Sequence, residues 1–295
     1  MKRMLSADDL ARDSRFTRTS IEEVIFDPRT LSTEAERRRV GGFKPGVADG
    51  PDRARALMHG IFVGEIQALE GAGRTCFDYD VARTGVDDPD AVPFELKLDM
   101  AHQCWDEARH CEISIKLGDH MGTEIGEFAE QTTLFETACN NDPILRLAGV
   151  NRALEGLAID VFNTMRDFGQ LSNDPVLYFC EDWMLADEVT HVKMGSDWLR
   201  KVTANDAPRR TKALEFQKAV DKLFSFGGFR GESDESPVHL ARNFRRLAGF
   251  NDEEIHEIVD IAAQAYEEQK AMAAMQREAA RTAGAPQSAS DLAHA

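Results

Sequence analysis

Asp106-Glu107-Ala108-Arg109-His110 and Asp187-Glu188-Val189-Thr190-His191 are two copies of one pattern, D-E-x-x-H, each set among strong helix formers. A helix puts residues i and i+3 on one face, so each copy presents a carboxylate beside an imidazole. That donor pair suits a first-row transition metal. The chain has eight His. With Asp and Glu each at about one position in ten, an accidental copy arises roughly 0.1 times per chain. Two copies are therefore more than an acidic helix face that happens to carry His.

Each copy has a partner upstream. Gly64-Glu65-Ile66-Gln67-Ala68-Leu69-Glu70 precedes the first and Leu154-Glu155-Gly156-Leu157-Ala158-Ile159-Asp160 precedes the second. The Glu-to-Glu spacings are 42 residues (65 to 107) and 33 residues (155 to 188), room for one helix, a connection and the start of the next. The pattern predicts two similar helix pairs, and hence an all-α four-helix bundle. Two helices would give one Glu each, and two would give Glu-x-x-His each, all toward a dimetal centre.

Six ligands follow: Glu65, Glu107, His110, Glu155, Glu188 and His191. In the first helix Glu65 shares a stripe with Met58, Ile61, Phe62, Ala68 and Ala72, and an acid among apolar residues needs a compensating cation. Glu70 lies on a more polar stripe, either as an additional ligand or paired with Arg74 four residues on. Asp160 points away from the Glu155 face. Glu181, two turns before Glu188, is open to three readings: an access path, an extra ligand or a salt bridge at the bundle end. A metal-bound His donates its second N–H to a carboxylate, so Asp106 and Asp187 are expected behind the imidazoles, each across from the other motif. The other His (59, 102, 120, 239, 256, 294) lack the motif and receive no role. Cys104 and Cys111, which bracket Glu107, read as core packing.

Turn and cap signals divide the chain. Residues 1–50 read as an N-terminal arm with a short helix near Thr33–Val40. Residues 51–204 hold the bundle, with helices over about 52–79, 93–121, 144–168 and 175–202 and a connecting helix over Glu124–Ala138. Residues 205–282 form a helical extension, with helices near 210–224 and 252–280, and 283–295 read as a disordered tail. No apolar run reaches the length of about 18 residues that a membrane helix needs. Five Cys without a C-x-x-C pair fit a reducing cytoplasm. The net charge is −17 and Lys and Arg form no stripe, which argues against a nucleic-acid groove and suits a basic redox partner.

On these residues the chain resembles the ferritin-like diiron carboxylate proteins, over about residues 55–200. Gly64-Glu65-Ile66-Gln67-Ala68 is similar to the first-helix motif of rubrerythrin-type proteins, which favours Glu65 over Glu70. The paired D-E-x-x-H resembles the bacterial multicomponent hydroxylases and ribonucleotide reductase small subunits. The order of all four segments is most similar to a family of bacterial ferritin-like proteins. The resemblance implies two iron ions, or a mixed Mn/Fe pair, that activate O₂ to oxidise a small organic molecule. A reductase or ferredoxin would supply electrons, and a homodimer is expected. Alternatives are a ferroxidase or iron-storage protein and a diiron tRNA-modifying hydroxylase. Departures narrow the field. There is no rubredoxin-like C-x-x-C pair and no extra His between His120 and His191 as in arylamine N-oxygenases. Tyr79 and Tyr178 lie roughly 15–20 Å along their helices from the nearest ligand, too far for a radical store. The hydroxyl residue that the hydroxylases place one turn after the third-helix Glu is Ile159 here.

Overall fold

The structure is a computed structural model that describes residues 51–81, 91–128, 133–225, 230–232 and 236–283. The arm, its short helix and the tail beyond Ala283 lie outside the described residues. Among the described residues the chain is all-α, and its extended pairings are two isolated bridges, Val81 with Val92 and Arg230 with Val238. In chain order the helices are α1 (Pro51–Asp78), α2 (Phe94–Met121), α3 (Thr133–Ala138) and α4 (Pro143–Ala148). A π-helical stretch, Gly149–Leu154, leads into α5 (Glu155–Leu171). Then follow α6 (Pro175–Val202), α7 (Ala207–Ser225), α8 (Arg242–Leu247) and α9 (Asp252–Ala283).

The ends of these helices follow from local chemistry. Gly122 closes α2 in the left-handed region (φ 73°), where its N–H reaches back to the last turn. The Asp174 carboxylate accepts from the Val176 and Leu177 amides, and Pro175 takes the first helical position of α6. Asn251 and Glu254 open α9 with a reciprocal pair of side-chain to backbone bonds, 2.8 and 2.9 Å.

Helices α1, α2, α5 and α6 are brought together in antiparallel pairs, α1 with α2 and α5 with α6. Between α2 and α6 the register is written in four polar contacts: Asp99 with Trp198 (2.6 Å), Asp106 with His191 (3.2 Å), His110 with Asp187 (3.2 Å) and His120 with Asp174 (2.7 Å). Numbers rise along α2 as they fall along α6, so the two helices run in opposite directions. Apolar side chains from all four helices, among them Met58, Leu117, Phe162, Met165 and Met184, fill one end of the space they enclose.

The structure corrects the sequence reading in three places. Of the helix expected over Glu124–Ala138, the described residues show only α3. Residues 122–128 turn instead, because Gly122 and Gly126 both take positive φ (73° and 82°), which a right-handed helix cannot accommodate. The single helix expected over 144–168 is divided by the π-helical stretch, whose inserted residue leaves no mark on a 3.6-residue pattern. Helix α8 was not expected, since six residues are too few for a periodicity signal.

The segment after α6 is tied to the four helices by buried ion pairs. Arg245 of α8 grips Asp160 of α5 through Nε (2.9 Å) and Nη2 (2.5 Å), and also donates to the Gly156 carbonyl (2.6 Å). The Ala241 N–H donates to the same carboxylate (2.8 Å). Arg152 donates to Gln217 of α7, Ser196 of α6 and Glu254 of α9. Removing one partner of a buried pair strands the other, at a cost of about 3–5 kcal/mol. D160A should therefore lower unfolding stability by that amount, read from the chemical denaturation midpoint. A loss below about 1 kcal/mol, the range of exposed pairs, would show that the clamp does not secure α8.

Candidate metal centre

Each of the four long helices sends at least one acid into the enclosed space. Glu65 comes from α1, Glu107 and His110 from α2, Glu155 from the first turn of α5, and Glu188 and His191 from α6. All six are buried, Glu65 being the most exposed at 5 %. Their ligand atoms form two groups: Glu65, Glu107, His110 and Glu188, and Glu107, Glu155, Glu188 and His191. Within each group the atoms lie within 4.8 Å of one another. Glu107 and Glu188 belong to both, so the two groups are fused through the two D-E-x-x-H carboxylates. Such groups can hold a metal ion.

The donor geometry fits cations. His110 turns Nε2 to Asp187 (3.2 Å), and its Nδ1 faces Glu65 (3.0 Å), Glu107 (3.1 Å) and Glu188 (3.2 Å). His191 turns Nε2 to Asp106 (3.2 Å), and its Nδ1 faces Glu107 (3.3 Å) and Glu188 (3.6 Å). When Nε2 donates its proton to the Asp, Nδ1 is a bare lone pair aimed at carboxylate oxygens that are also acceptors. Such a convergence is repulsive unless a positive charge sits within it. Both Glu188 oxygens and His191 Nδ1 make no hydrogen bond.

Without a metal ion, protons must compensate the charge. Burial first, and then the neighbouring Glu188 and Glu107 charges, push Glu155 well above the usual carboxylate range. Burial also drives Glu65 well up, against the His110 hydrogen bond. For Glu107 burial acts the same way, but the His191 charge and the hydrogen bond and charge of His110 overcome it and hold the carboxyl low. Burial disfavours both imidazoliums, yet Asp187 and the glutamates raise His110, and Glu107, Glu188 and Asp106 raise His191.

Three neighbours that received no role from the sequence complete the arrangement. Arg109, inside the first motif, donates to Asp106 and to Asp187 (3.3 Å), and its guanidinium lies 4.7 Å from the Trp183 ring centre. Gln103 donates to Glu155 (2.7 Å) and Glu107 (3.2 Å), and Asn151 of the π-helical stretch donates to Gln103 (2.7 Å). Gln103 was legible in principle, four residues before Glu107 on the same face. Asn151 was not, because the π turn rotates it out of the expected register. Gly195 makes room for it: a Cβ there would come within 2.3 Å of the Asn151 Cβ.

Two additional candidates fall outside both groups. Glu70 is exposed, and Arg74 goes instead to Asp78 (2.9 Å) and Cys139 (2.8 Å). The reason is angular: five residues after Glu65, Glu70 points away from the enclosed space. Glu181 is fully buried but forms no salt bridge, so a pair at the end of the helices is not its role.

Residues 27–256 match the family model described as Protein of unknown function (DUF455), and the chain belongs to that family. The match covers all six residues of the two groups. No curated protein and no solved structure matches the chain.

Metal binding must displace protons from this centre, since only deprotonated carboxylates and neutral imidazoles ligate. The sign follows from the raised groups: Glu65, Glu155, His110 and His191 hold protons more tightly as pH falls, so metal affinity should fall with decreasing pH. Titration calorimetry in buffers of different ionisation enthalpy should show net proton release, and none would contradict this account. H110A and H191A should abolish tight binding, while H102A and H120A should leave it intact. D106N or D187N should weaken it roughly 10–100-fold. Equal tolerance at all four His would refute the assignment.

Proposed function

We propose that this chain is a diiron oxidoreductase on a ferritin-like four-helix bundle, activating O₂ to oxidise a small organic molecule. The observation that carries the reading is the pair of fused ligand groups sharing Glu107 and Glu188. Four carboxylates and two imidazoles are the oxygen and nitrogen donors that suit iron or manganese. Their four negative charges also balance two divalent cations, so the filled centre is neutral, the condition for burying it. Glu65, Glu107, His110 and Glu188 would hold one ion, and Glu107, Glu155, Glu188 and His191 the other. The bound ions would supply the redox chemistry.

The chain's own side chains orient that chemistry. Asp187 and Asp106 fix the imidazoles with Nδ1 inward, and Arg109, bonded to both aspartates, holds them in place. Gln103 holds Glu155 through Nε2 and is itself held by Asn151. The apolar side chains packed around the centre exclude water. Monooxygenation consumes one O₂, two electrons and two protons per substrate, leaving one oxygen atom in the product and one in water. A one-electron carrier protein would bring the electrons, and the −17 charge favours a basic one.

Anaerobic loading with Fe(II) should give two iron ions per chain by metal analysis, and one or none would sink the assignment. The reduced protein should then consume O₂ and require fresh reductant for each turnover. Accumulation of hundreds of irons per assembly under aerobic Fe(II), without donor-dependent O₂ uptake, would instead place the chain with iron-storage proteins.

A further inference from the structure

Glu181 of α6 and Ser114 of α2 are the buried carboxyl and hydroxyl beside the centre that the ligand sets leave over. Glu181 is 0 % exposed and Ser114 1 %. Neither Glu181 oxygen nor the Ser114 hydroxyl makes a hydrogen bond. The antiparallel register sets them at similar heights on facing helices, without a hydrogen bond between them. Ser114 lies on α2 between His110 and His120, and Glu181 lies on α6 between the partners of those two, Asp187 and Asp174. They therefore share one level, a turn beyond His110 on the Glu65 side. The packing at this end is otherwise apolar and includes Met58, Ile61, Leu117, Phe162 and Met165.

The other end shows the contrast. The same register brings Met100 level with Gly195, and there Asn151 and Gln103 satisfy one another and Glu155. One end of the centre is closed by a completed amide chain, and the other keeps an acid without a partner. An unpartnered buried carboxyl costs stability, whereas an apolar residue of the same shape is near neutral or stabilising. Retaining an acid against that gradient marks a functional position.

We propose that Glu181 is the proton donor of this centre; this rests on the O₂-activating reading above. Glu181 holds its proton on the Glu65–His110 side of the centre; giving it up breaks the Glu181 O–H bond and leaves a carboxylate, and the proton is one of the two that monooxygenation consumes. Solvent protons restore the carboxyl between turnovers. The electrons come from the carrier protein, so Glu181 changes protonation only. The proton is the one ligand that needs no space in a packed section. Burial, and next the Glu65 charge from α1, push the Glu181 carboxyl well above the usual range, with His110 of α2 opposing. From α5 the facing side chains, Phe162 and Met165, do not titrate.

The test uses the full chain as E181Q, E181L and S114A beside wild type. Each variant should still bind two iron ions. The wild-type infrared spectrum should contain a protonated-carboxyl C=O band near neutral pH that E181Q lacks. Single-turnover O₂ consumption by the reduced protein should slow at least about 100-fold in E181Q and E181L, the scale of lost general-acid help. S114A, which removes a buried hydroxyl at the same level that is not bonded to Glu181, should stay within a few-fold of the wild-type rate. E181L should unfold at higher temperature than wild type while remaining slow, which a purely structural acid would not do. Wild-type rates in E181Q and E181L, or no protonated band in wild type, would overturn the inference and leave the oxygenase reading intact. Loss of an iron ion in E181Q would overturn it by making Glu181 a ligand. A wild-type protein that binds two irons and ignores O₂ would overturn both.

Discussion

Four carboxylates aimed at one buried point are the constraint around which this molecule is arranged. No apolar core would gather Glu65, Glu107, Glu155 and Glu188 unaided, since each bare charge in such surroundings costs several kcal/mol. They converge because each is carried on a different long helix whose apolar stripe has to face the others, and the stripe and the acid share one face. Helix packing thus contributes the stability that the acids spend, and cations or protons cancel the repulsion that remains. The cluster therefore favours a folded state with positive charge at its middle, linking fold and metal chemistry through one electrostatic requirement.

The second layer makes that requirement geometric. Asp106 reaches His191 and Asp187 reaches His110, so each motif orients the imidazole of the other. These crossed contacts are also two rungs of the α2–α6 register. A slip of one turn would separate both aspartates from both imidazoles at once. Arg109 binds the two aspartates to a single cation, so the halves of the centre do not move independently. The ion pairs of Asp160 and Arg152 play a comparable part farther out, anchoring α7, α8 and α9 to the helices that hold the ligands.

Much of this was readable from residue order. Two D-E-x-x-H copies and two upstream Glu define four helices, and proline, glycine and Asx caps set their ends to within about three residues. Hidden were features whose physical cause is not local. The π-helical stretch follows from one inserted residue, which smears rather than breaks the apolar pattern, and it alone brings Asn151 to Gln103. Arg245 finds Asp160 across 85 positions, a separation at which spacing says nothing. The turn over 122–128 is another hidden feature: Gly122 and Gly126 with positive φ outweigh the helix-forming acids around them.

The two halves of the centre are similar in sequence and unlike in surroundings, and the differences fall at equivalent positions. Gln103, four before Glu107, corresponds to Met184 before Glu188. Met100 corresponds to Glu181, Ser114 to Gly195, and Arg109 to Thr190. A simple duplication would make both ends of the site alike. Instead, the Glu155 side is bonded: Gln103 grips the carboxylate, and Gly195 admits the Asn151 that steadies Gln103. On the Glu65 side the corresponding positions withhold bonds, leaving Glu181 and Ser114 unsatisfied among methionines whose side chains adapt readily. A carboxylate held by an amide chain is restrained, and one facing adaptable, unbonded neighbours is free to shift as protons arrive. The asymmetry thus sets a half restrained by side-chain amides against a half that leaves Glu181 and Ser114 without hydrogen bonds.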